Sequence, residues 1–186
     1  MSVSDYDIAQ IESHYPIAGK KSHLVPNGVS IAHSYCALPS ESIHLGNGFG
    51  FKHPSVLFVG SVLAANLHAM TLIIEKYAIA FSNVLWVIVG VTDQEYFRGT
   101  GKRLLPDNVV FTGRISETEK EAVMALCRLS IAPLAQGTGS SLKLPDYIAH
   151  GKPVITTDIG LRGFAHLSDT VDLVELDHFI PAIKKR

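Results

Sequence analysis

From Ser55 onward the chain alternates between short, largely apolar runs and longer stretches with apolar residues every three to four positions. The short runs are VLFVGSV (Val56 to Val62), VLWVIVG (Val84 to Gly90), NVVFTG (Asn108 to Gly113), LSIAPL (Leu129 to Leu134), PVITT (Pro153 to Thr157) and VDLVEL (Val171 to Leu176). A run that is apolar at odd and even positions alike suits a strand buried on both faces. Between the first two, Asn66 to Phe81 carries Met70, Ile73, Ile74, Tyr77, Ala78 and Phe81 at helical spacing. Ser116 followed by Glu119 forms a capping box ahead of Ala122, Val123, Leu126 and Cys127, and another helix is expected within Leu142 to His150. Strands that alternate with helices pair in parallel through right-handed crossovers. The expected architecture is α/β: a doubly wound sheet of about six strands, order 3-2-1-4-5-6, with helices on both faces.

Residues 1–54 read differently, as a helix, a short strand and a loop ahead of the sheet domain, residues 55–186. Ser4 to Tyr15 reads as a helix capped by Ser4 with Ile8 and Ile11 on one side, and Ser22 to Val25 as a short strand. Pro26-Asn27-Gly28 has the residues of a turn, and Ile31 to His53, with three glycines and no clear period, reads as loop. At 186 residues the chain suffices for one full α/β domain. A net charge of −1 with no block of Lys or Arg argues against nucleic acid or an anionic membrane as partner. No apolar run is long enough for a transmembrane segment, and the N-terminus is unlike a signal peptide. Cys36 and Cys127, far apart in sequence, give neither a disulfide framework nor a zinc spacing, so a cytoplasmic setting is expected.

In an open parallel sheet, ligands bind beyond the carboxyl ends of the strands where the winding reverses, here between the first and fourth. Gly60-Ser61-Val62 and Pro133 to Leu142 should converge there. Gly137 and Gly139 let backbone approach a ligand, Ser140 or Ser141 can cap the next helix, and amides at its start favour a phosphate. Lys143 adds a cation where a helix start prefers an acid, which points to a ligand rather than to stability. The plain alternative is a loop, a cap and a solvated lysine. Two familiar phosphate motifs are absent. Gly60-Ser61-Val62-Leu63 has no dinucleotide fingerprint, and Gly99-Thr100-Gly101-Lys102 has Arg103 where a P-loop needs Ser or Thr.

An ordered series of segments resembles the C-terminal, donor-binding domain of family 4 glycosyltransferases (glycosyl transferases group 1, GT-B fold). It comprises Pro26-Asn27-Gly28-Val29, Phe58-Val59-Gly60-Ser61 with Asn66, Ile88-Val89-Gly90, and Val109 to Ser116. It continues through Ala132-Pro133-Leu134, Gly137-Thr138-Gly139, Leu142-Lys143-Leu144, Asp146-Tyr147-Ile148-Ala149, Gly151-Lys152-Pro153-Val154 and Thr156-Thr157 with Gly160 and Gly163.

The resemblance implies a Rossmann-like donor domain and retaining transfer of a hexose from a UDP- or GDP-linked sugar in glycan or polysaccharide biosynthesis, with no other cofactor and no metal. By position it sets Gly60 and Ser61 against the diphosphate, Lys143 paired with it, and the backbone from Thr138 and Gly139 through Ser140, Ser141 and Leu142 around it. Arg114 and Ile115 fall at the base, and Asp146 at the ribose. Lys143 and Asp146 are the residues it ties to catalysis. It also implies a preceding acceptor-binding domain as partner, without which the donor half is inactive and through which it would lie peripheral to the inner membrane. There are departures. Gln136 stands in the rough place of one family Glu and Asp146 in that of another, and Ser61 to Asn66 carries no Arg or Lys.

The nine histidines show no ligand spacing. Glu119, Lys120 and Glu121 read as a solvated helix face and Trp86 as core; Asp158 and Arg162, near the end of the fifth strand, read as a surface pair, with lining of the crevice as the alternative. A non-catalytic nucleotide-sugar binder is the rival reading, favoured by Gln136 and Asp146. A receiver- or flavodoxin-like module would need acidic residues after the first strand, where Gly60-Ser61 stands.

Overall fold

A computed structural model describes residues 3, 5–15, 23–25, 27–28 and 53–186. Six strands make one sheet: β1 Ser55–Val59, β2 Leu85–Val89, β3 Val109–Gly113, β4 Leu129–Ala132, β5 Val154–Thr156 and β6 Asp172–Leu173. Their order is β3-β2-β1-β4-β5-β6 and every pairing is parallel, as the alternation of strands and helices requires.

Burial alternates along the strands. Val56, Phe58, Trp86 and Ile88 enter one apolar layer with Met70, Ile73, Tyr77, Tyr96 and Phe179. Leu57, Leu85, Val87 and Val89 enter the opposite layer with Val123, Met124, Leu144 and Tyr147. Each such side chain contributes about 1.5–3 kcal/mol on leaving water, which is why strands apolar at every position need helices on both sides. The first layer is covered by α2 Ala64–Leu72, the π turn Ile73–Tyr77, α3 Ala78–Ala80, α4 Asp93–Thr100 and α7 Phe179–Lys184. The second is covered by α5 Glu117–Leu126 and α6 Lys143–Ala149.

The differences from expectation have physical causes. The strands are shorter than the apolar runs, because Gly60-Ser61-Val62 and Pro133-Leu134 leave the sheet as loops. β6 is only two residues long, and Leu176, assigned to it by pattern, opens a 3-10 turn, Leu176–His178. Helix α4 lacks an apolar stripe, since only Tyr96 is fully buried, yet it has a complete capping box. The Thr92 hydroxyl accepts from the Glu95 amide at 3.1 Å, and the Glu95 carboxylate accepts from the Thr92 amide at 2.9 Å. The box expected at Ser116 and Glu119 is present on α5. Neither Ser140 nor Ser141 caps α6. Its cap position is Leu142, already helical, and the Ser141 amide donates instead to the Arg162 carbonyl at 3.0 Å. Pro145 is tolerated because it lies in the first turn, where its missing N–H breaks no helical bond. Toward the N-terminus, α1 spans Asp5–His14 and Leu24 forms a single bridge residue. The proposed cap Ser4, Pro26 of the turn, and 31–52 of the loop lie outside the described residues.

One contact ties the second layer to the carboxyl end of β1. The Val59 amide donates to the buried Tyr147 hydroxyl at 2.7 Å, so α6 is fixed where the first strand stops. Tyr147→Phe leaves that amide without its acceptor. Chemical denaturation should show a loss of about 1–3 kcal/mol. A loss below about 0.5 kcal/mol would mean that water replaces the hydroxyl and the anchor is unimportant.

Candidate functional site

Beyond the carboxyl ends of β1 and β4, where the winding reverses, lies a cavity of about 950 Å3. Small-molecule sites commonly span roughly 300–1,000 Å3 and occur at this point of such sheets. The cavity is lined by Gly60 and Ser61 after β1, by the first turn of α2 including Asn66, and by Gln136, Gly137, Thr138, Ser140, Ser141 and Leu142 of the loop after β4. Lys143 and Asp146 of α6 and Arg162 after β5 complete it.

Lys143 bridges the two sides of the reversal. Its Nζ donates to Asn66 Oδ1 at 2.7 Å and stands 4.4 Å from the centre of the Phe58 ring. Among the described residues no carboxylate pairs with it. Removal from water, and to a lesser extent the positive charge of Arg162, together lower the ammonium from its ordinary value to about 7. A half-buried cation whose strongest partner is a neutral amide is a poor contributor to folding and a good receptor for an anion.

The surrounding donors are also unfilled. The Ser140 and Ser141 hydroxyls are buried without a hydrogen-bond partner, and both residues line the cavity. Thr92 and Ser116 cap α4 and α5 with complete boxes, whereas α2 and α6, which open on the cavity, have Leu63 and Leu142 at the cap with no side-chain bond; α7, which starts at His178 away from the cavity, is uncapped as well. The first-turn amides of α2 are therefore unclaimed by a side-chain cap, and the residues that carry them line the cavity. Hydroxyls, amides and an ammonium together suit a multiply charged oxyanion.

Two glycines allow the close packing. A Cβ at Gly60 would lie 2.7 Å from the Phe58 ring and 3.1 Å from Asn66 Cγ, the two groups that hold Lys143. Gly163, at φ +85°, brings its segment so near the loop that a Cβ would meet Ser140 Oγ at 2.5 Å. Beside it, Arg162 lines the cavity rather than forming only a surface pair with Asp158. Its guanidinium donates to the carbonyls of Thr138 and Ile159 at 2.9 Å each, and to that of Gly139.

Of the residues singled out by sequence, Gly60, Ser61, Thr138, Ser140, Ser141, Leu142, Lys143 and Asp146 meet at the cavity. Gly139, between two lining residues, and Arg114 and Ile115, just past β3, lie outside its lining. Arg114 is exposed, 3.8 Å from Glu95. Asp146 is occupied: its carboxylate accepts from Lys120 at 3.2 Å. Lys120 consequently does not belong to a solvated face, since its side chain is only 19% exposed and joins Glu117 of α5 to Asp146 of α6. Sequence reading placed Lys120 on a solvated face, which its bond to Asp146 corrects, and preferred a surface pair for Arg162 over the cavity lining it joins. Among the described residues, no group of three or more His, Cys, Asp or Glu is placed to hold a metal, and no helix is long and apolar enough to cross a membrane.

No curated protein matches the chain at a significant level. Among solved structures, the chain is similar to WaaG, a glycosyltransferase involved in lipopolysaccharide biosynthesis, with 19% identity and a TM-score of 0.67 over 100% of this chain and 52% of that one. It is similar also to HepE of Anabaena, solved in complex with UDP and glucose, at 16% identity and TM-score 0.67 over 99% of this chain and 52% of that one. Sucrose-phosphate synthase from Thermosynechococcus elongatus matches at 18% identity and TM-score 0.66, covering 98% of this chain and 47% of that one. The chain thus spans about half the length of these proteins and has the fold expected for the donor-binding half of a GT-B enzyme. The sequence profile of the family described as Glycosyl transferases group 1 matches residues 53–181, and the chain belongs to that family.

Proposed function

We propose that this chain is the donor-binding half of a retaining glycosyltransferase, holding a UDP- or GDP-linked hexose for transfer to a glycan or polysaccharide acceptor. The observation that carries the reading is Lys143, a cation with no carboxylate partner among the described residues, beside two unbonded serine hydroxyls in a cavity at the sheet reversal. A nucleotide sugar brings two phosphate charges. In this reading Lys143, Ser140, Ser141 and the backbone of Thr138, Gly139 and Leu142 hold the diphosphate, with Gly60 and Ser61 against its other side. Charge-assisted bonds of this type contribute about 1.5–3 kcal/mol each. Asp146 takes the ribose hydroxyls once it shares Lys120. Arg114 and Ile115 take the base, an assignment that rests on family resemblance alone. The wall that positions an acceptor belongs to a second domain, and positioning is a large share of catalysis. Residues 55–186 form the donor domain in this reading, and the chain alone binds the donor without transferring sugar in a cytoplasmic setting. A nucleotide-sugar binder without catalysis is the second reading, favoured by the engagement of Asp146 with Lys120 and by Gln136 in the cavity. Titration calorimetry with UDP-glucose and GDP-mannose, followed by a sugar-transfer assay with and without an acceptor domain in trans, separates the two. Failure of both donors to bind, or robust transfer by the chain alone, rejects the half-enzyme reading.

Lys143→Met keeps the apolar stem and removes the charge. Affinity for UDP-glucose should fall about ten- to a hundredfold by calorimetry, while Arg114→Ala costs less. Unchanged affinity in Lys143→Met would take the ammonium out of the site. Folding should not suffer. A depressed ammonium is a cost of folding that is fully present below pH 7 and fades as the pH climbs toward the ordinary lysine value. The Met variant should therefore melt higher than the parent at pH 6, with the gap closing by about pH 10.

The same group sets a pH dependence for binding. An anion stabilises the ammonium, so the bound form holds its proton above pH 7 while the free form has lost it. The diphosphate of UDP-glucose keeps its charge throughout this range, so only the protein titrates. Affinity should be level below pH 7 and fall by about tenfold by pH 8, and the fall should vanish in Lys143→Met. A flat profile in the parent protein would show that Lys143 enters the site already charged.

A further inference from the structure

The cavity that gathers donors for an oxyanion also admits one carboxylate. Among the described residues that line it, Asp146 alone carries negative charge. It stands three residues after Lys143 on α6, a spacing that sets two side chains on one helix face with Cβ atoms about 5–6 Å apart. Left to itself, this carboxylate would harm an anion site in two ways. It would pair with the Lys143 ammonium, and it would repel a phosphate arriving at the same place.

Lys120 averts both. Its Nζ reaches across from α5 and donates to Asp146 Oδ2 at 3.2 Å, while a second contact, 2.6 Å to Glu117 Oε1, steadies it from its own helix. Its side chain is only 19% exposed. Lysine is seldom this far withdrawn from water unless it is paired, and here it has two carboxylate partners. Lys143 meanwhile is engaged on the other side of the cavity, where its Nζ donates to Asn66 Oδ1 at 2.7 Å and stands 4.4 Å from the centre of the Phe58 ring. The two members of the i, i+3 pair on α6 are thus held by different elements, Asp146 by α5 and Lys143 by β1 and α2.

We propose that Lys120 is a positioning residue of this cavity: it holds Asp146 apart from Lys143 and neutralises it, which keeps the Lys143 ammonium available to an anionic ligand. Lys120 lies outside the cavity lining, so it acts through Asp146 and not by touching the ligand. The proposal deepens the donor-binding reading and rests on it for the identity of the ligand, a nucleoside diphosphate sugar.

A double-mutant cycle on the 186-residue chain tests it, with inorganic pyrophosphate and UDP-glucose as probes and calorimetry as the readout. Pyrophosphate has the charge of a diphosphate and no ribose, so it reports on the anion site alone. Lys120→Met keeps the apolar stem and should weaken pyrophosphate binding about five- to tenfold. Lys120→Arg keeps a cation that can bridge to a carboxylate and should stay within about twofold of the parent. The deciding comparison is Lys120→Met made on top of Asp146→Asn. With the carboxylate gone, the loss of Lys120 should weaken binding by less than about twofold. An undiminished loss in that background means that Lys120 acts through its own field, and it overturns the proposal. Unchanged affinity in Lys120→Met overturns it too. A measurement on the parent protein without ligand stands beside the cycle: the NMR scalar coupling across a lysine–carboxylate hydrogen bond, between Nζ and the carboxyl carbon. Asp146 should show this coupling to Lys120. A coupling to Lys143 in its place overturns the proposal even if the variants fail to fold. Binding of pyrophosphate but not of UDP-glucose or GDP-mannose, with the cycle as expected, rejects the donor-binding reading and leaves the role of Lys120 at an anion site standing.

Discussion

Parallel strands cannot be joined by hairpins, and the rest of this molecule follows from that constraint. Each connection must travel back along the sheet, and it does so as a helix or an irregular segment packed on one face. The chain winds outward from β1 through β2 to β3, then returns to the other side of β1 and winds outward again through β4, β5 and β6. The loops after β1 and β4 therefore part at their carboxyl ends, and a gap opens that no crossover fills. Everything assigned to the site is a resident of that gap. The contacts that span it are few: the Tyr147 hydroxyl on the Val59 amide, and Lys143 on Asn66 and Phe58.

The gap is also where ordinary rules of stability are relaxed. Away from it, α4 and α5 start with reciprocal capping boxes, and Asn108 places its side-chain amide within 2.9–3.1 Å of three carbonyls at the α3–β2 turn. At the gap, leucines stand in the cap positions of α2 and α6, two serine hydroxyls are left unbonded, and an ammonium is partly withdrawn from water. Each departure alone is small, of the order of 1 kcal/mol for a missing cap. Buried polar atoms are unbonded elsewhere too, at Trp86 Nε1 and His150 Nε2; what marks this cavity is that uncapped helix starts, serine hydroxyls and an ammonium meet there, and one multiply charged oxyanion would satisfy them at once.

The fold was legible because its strands are buried on both faces, and a run such as Val84 to Gly90 has no other comfortable place. Helix α4 was not legible by periodicity, since Asp93 to Thr100 offers little beyond Tyr96 and Phe97 as an apolar face. Its Thr92-x-x-Glu95 signature was available and is the same signal that marked α5. In the site, the glycine-serine loop and Lys143 could be read because local chain chemistry is odd there. Arg162 and Lys120 could not be weighed properly. Their roles depend on partners 23, 24 and 26 residues away, and an arginine bonded to carbonyls looks, in sequence, like any surface arginine. The cap assigned to Ser140 or Ser141 failed for a related reason: the Ser141 amide is held by the Arg162 carbonyl, a contact between separate segments.

Asp146 gives the clearest view of how the site keeps its charge available. It lies three residues after Lys143 on α6, on the spacing at which helical ion pairs form. Had the two paired, the ammonium would be satisfied, and any ligand would first have to break a contact whose attraction at about 4 Å is about 4 kcal/mol at an effective dielectric of about 20. Instead the carboxylate turns to Lys120 on the neighbouring helix, and Lys120 is held in reach by Glu117 one turn earlier. This chain of charges stabilises the α5–α6 contact only modestly, being partly exposed. Its larger effect is subtractive. By engaging Asp146 it leaves Lys143 facing a neutral amide, an aromatic ring and a like-charged arginine, an arrangement that favours the bound anion over the empty site.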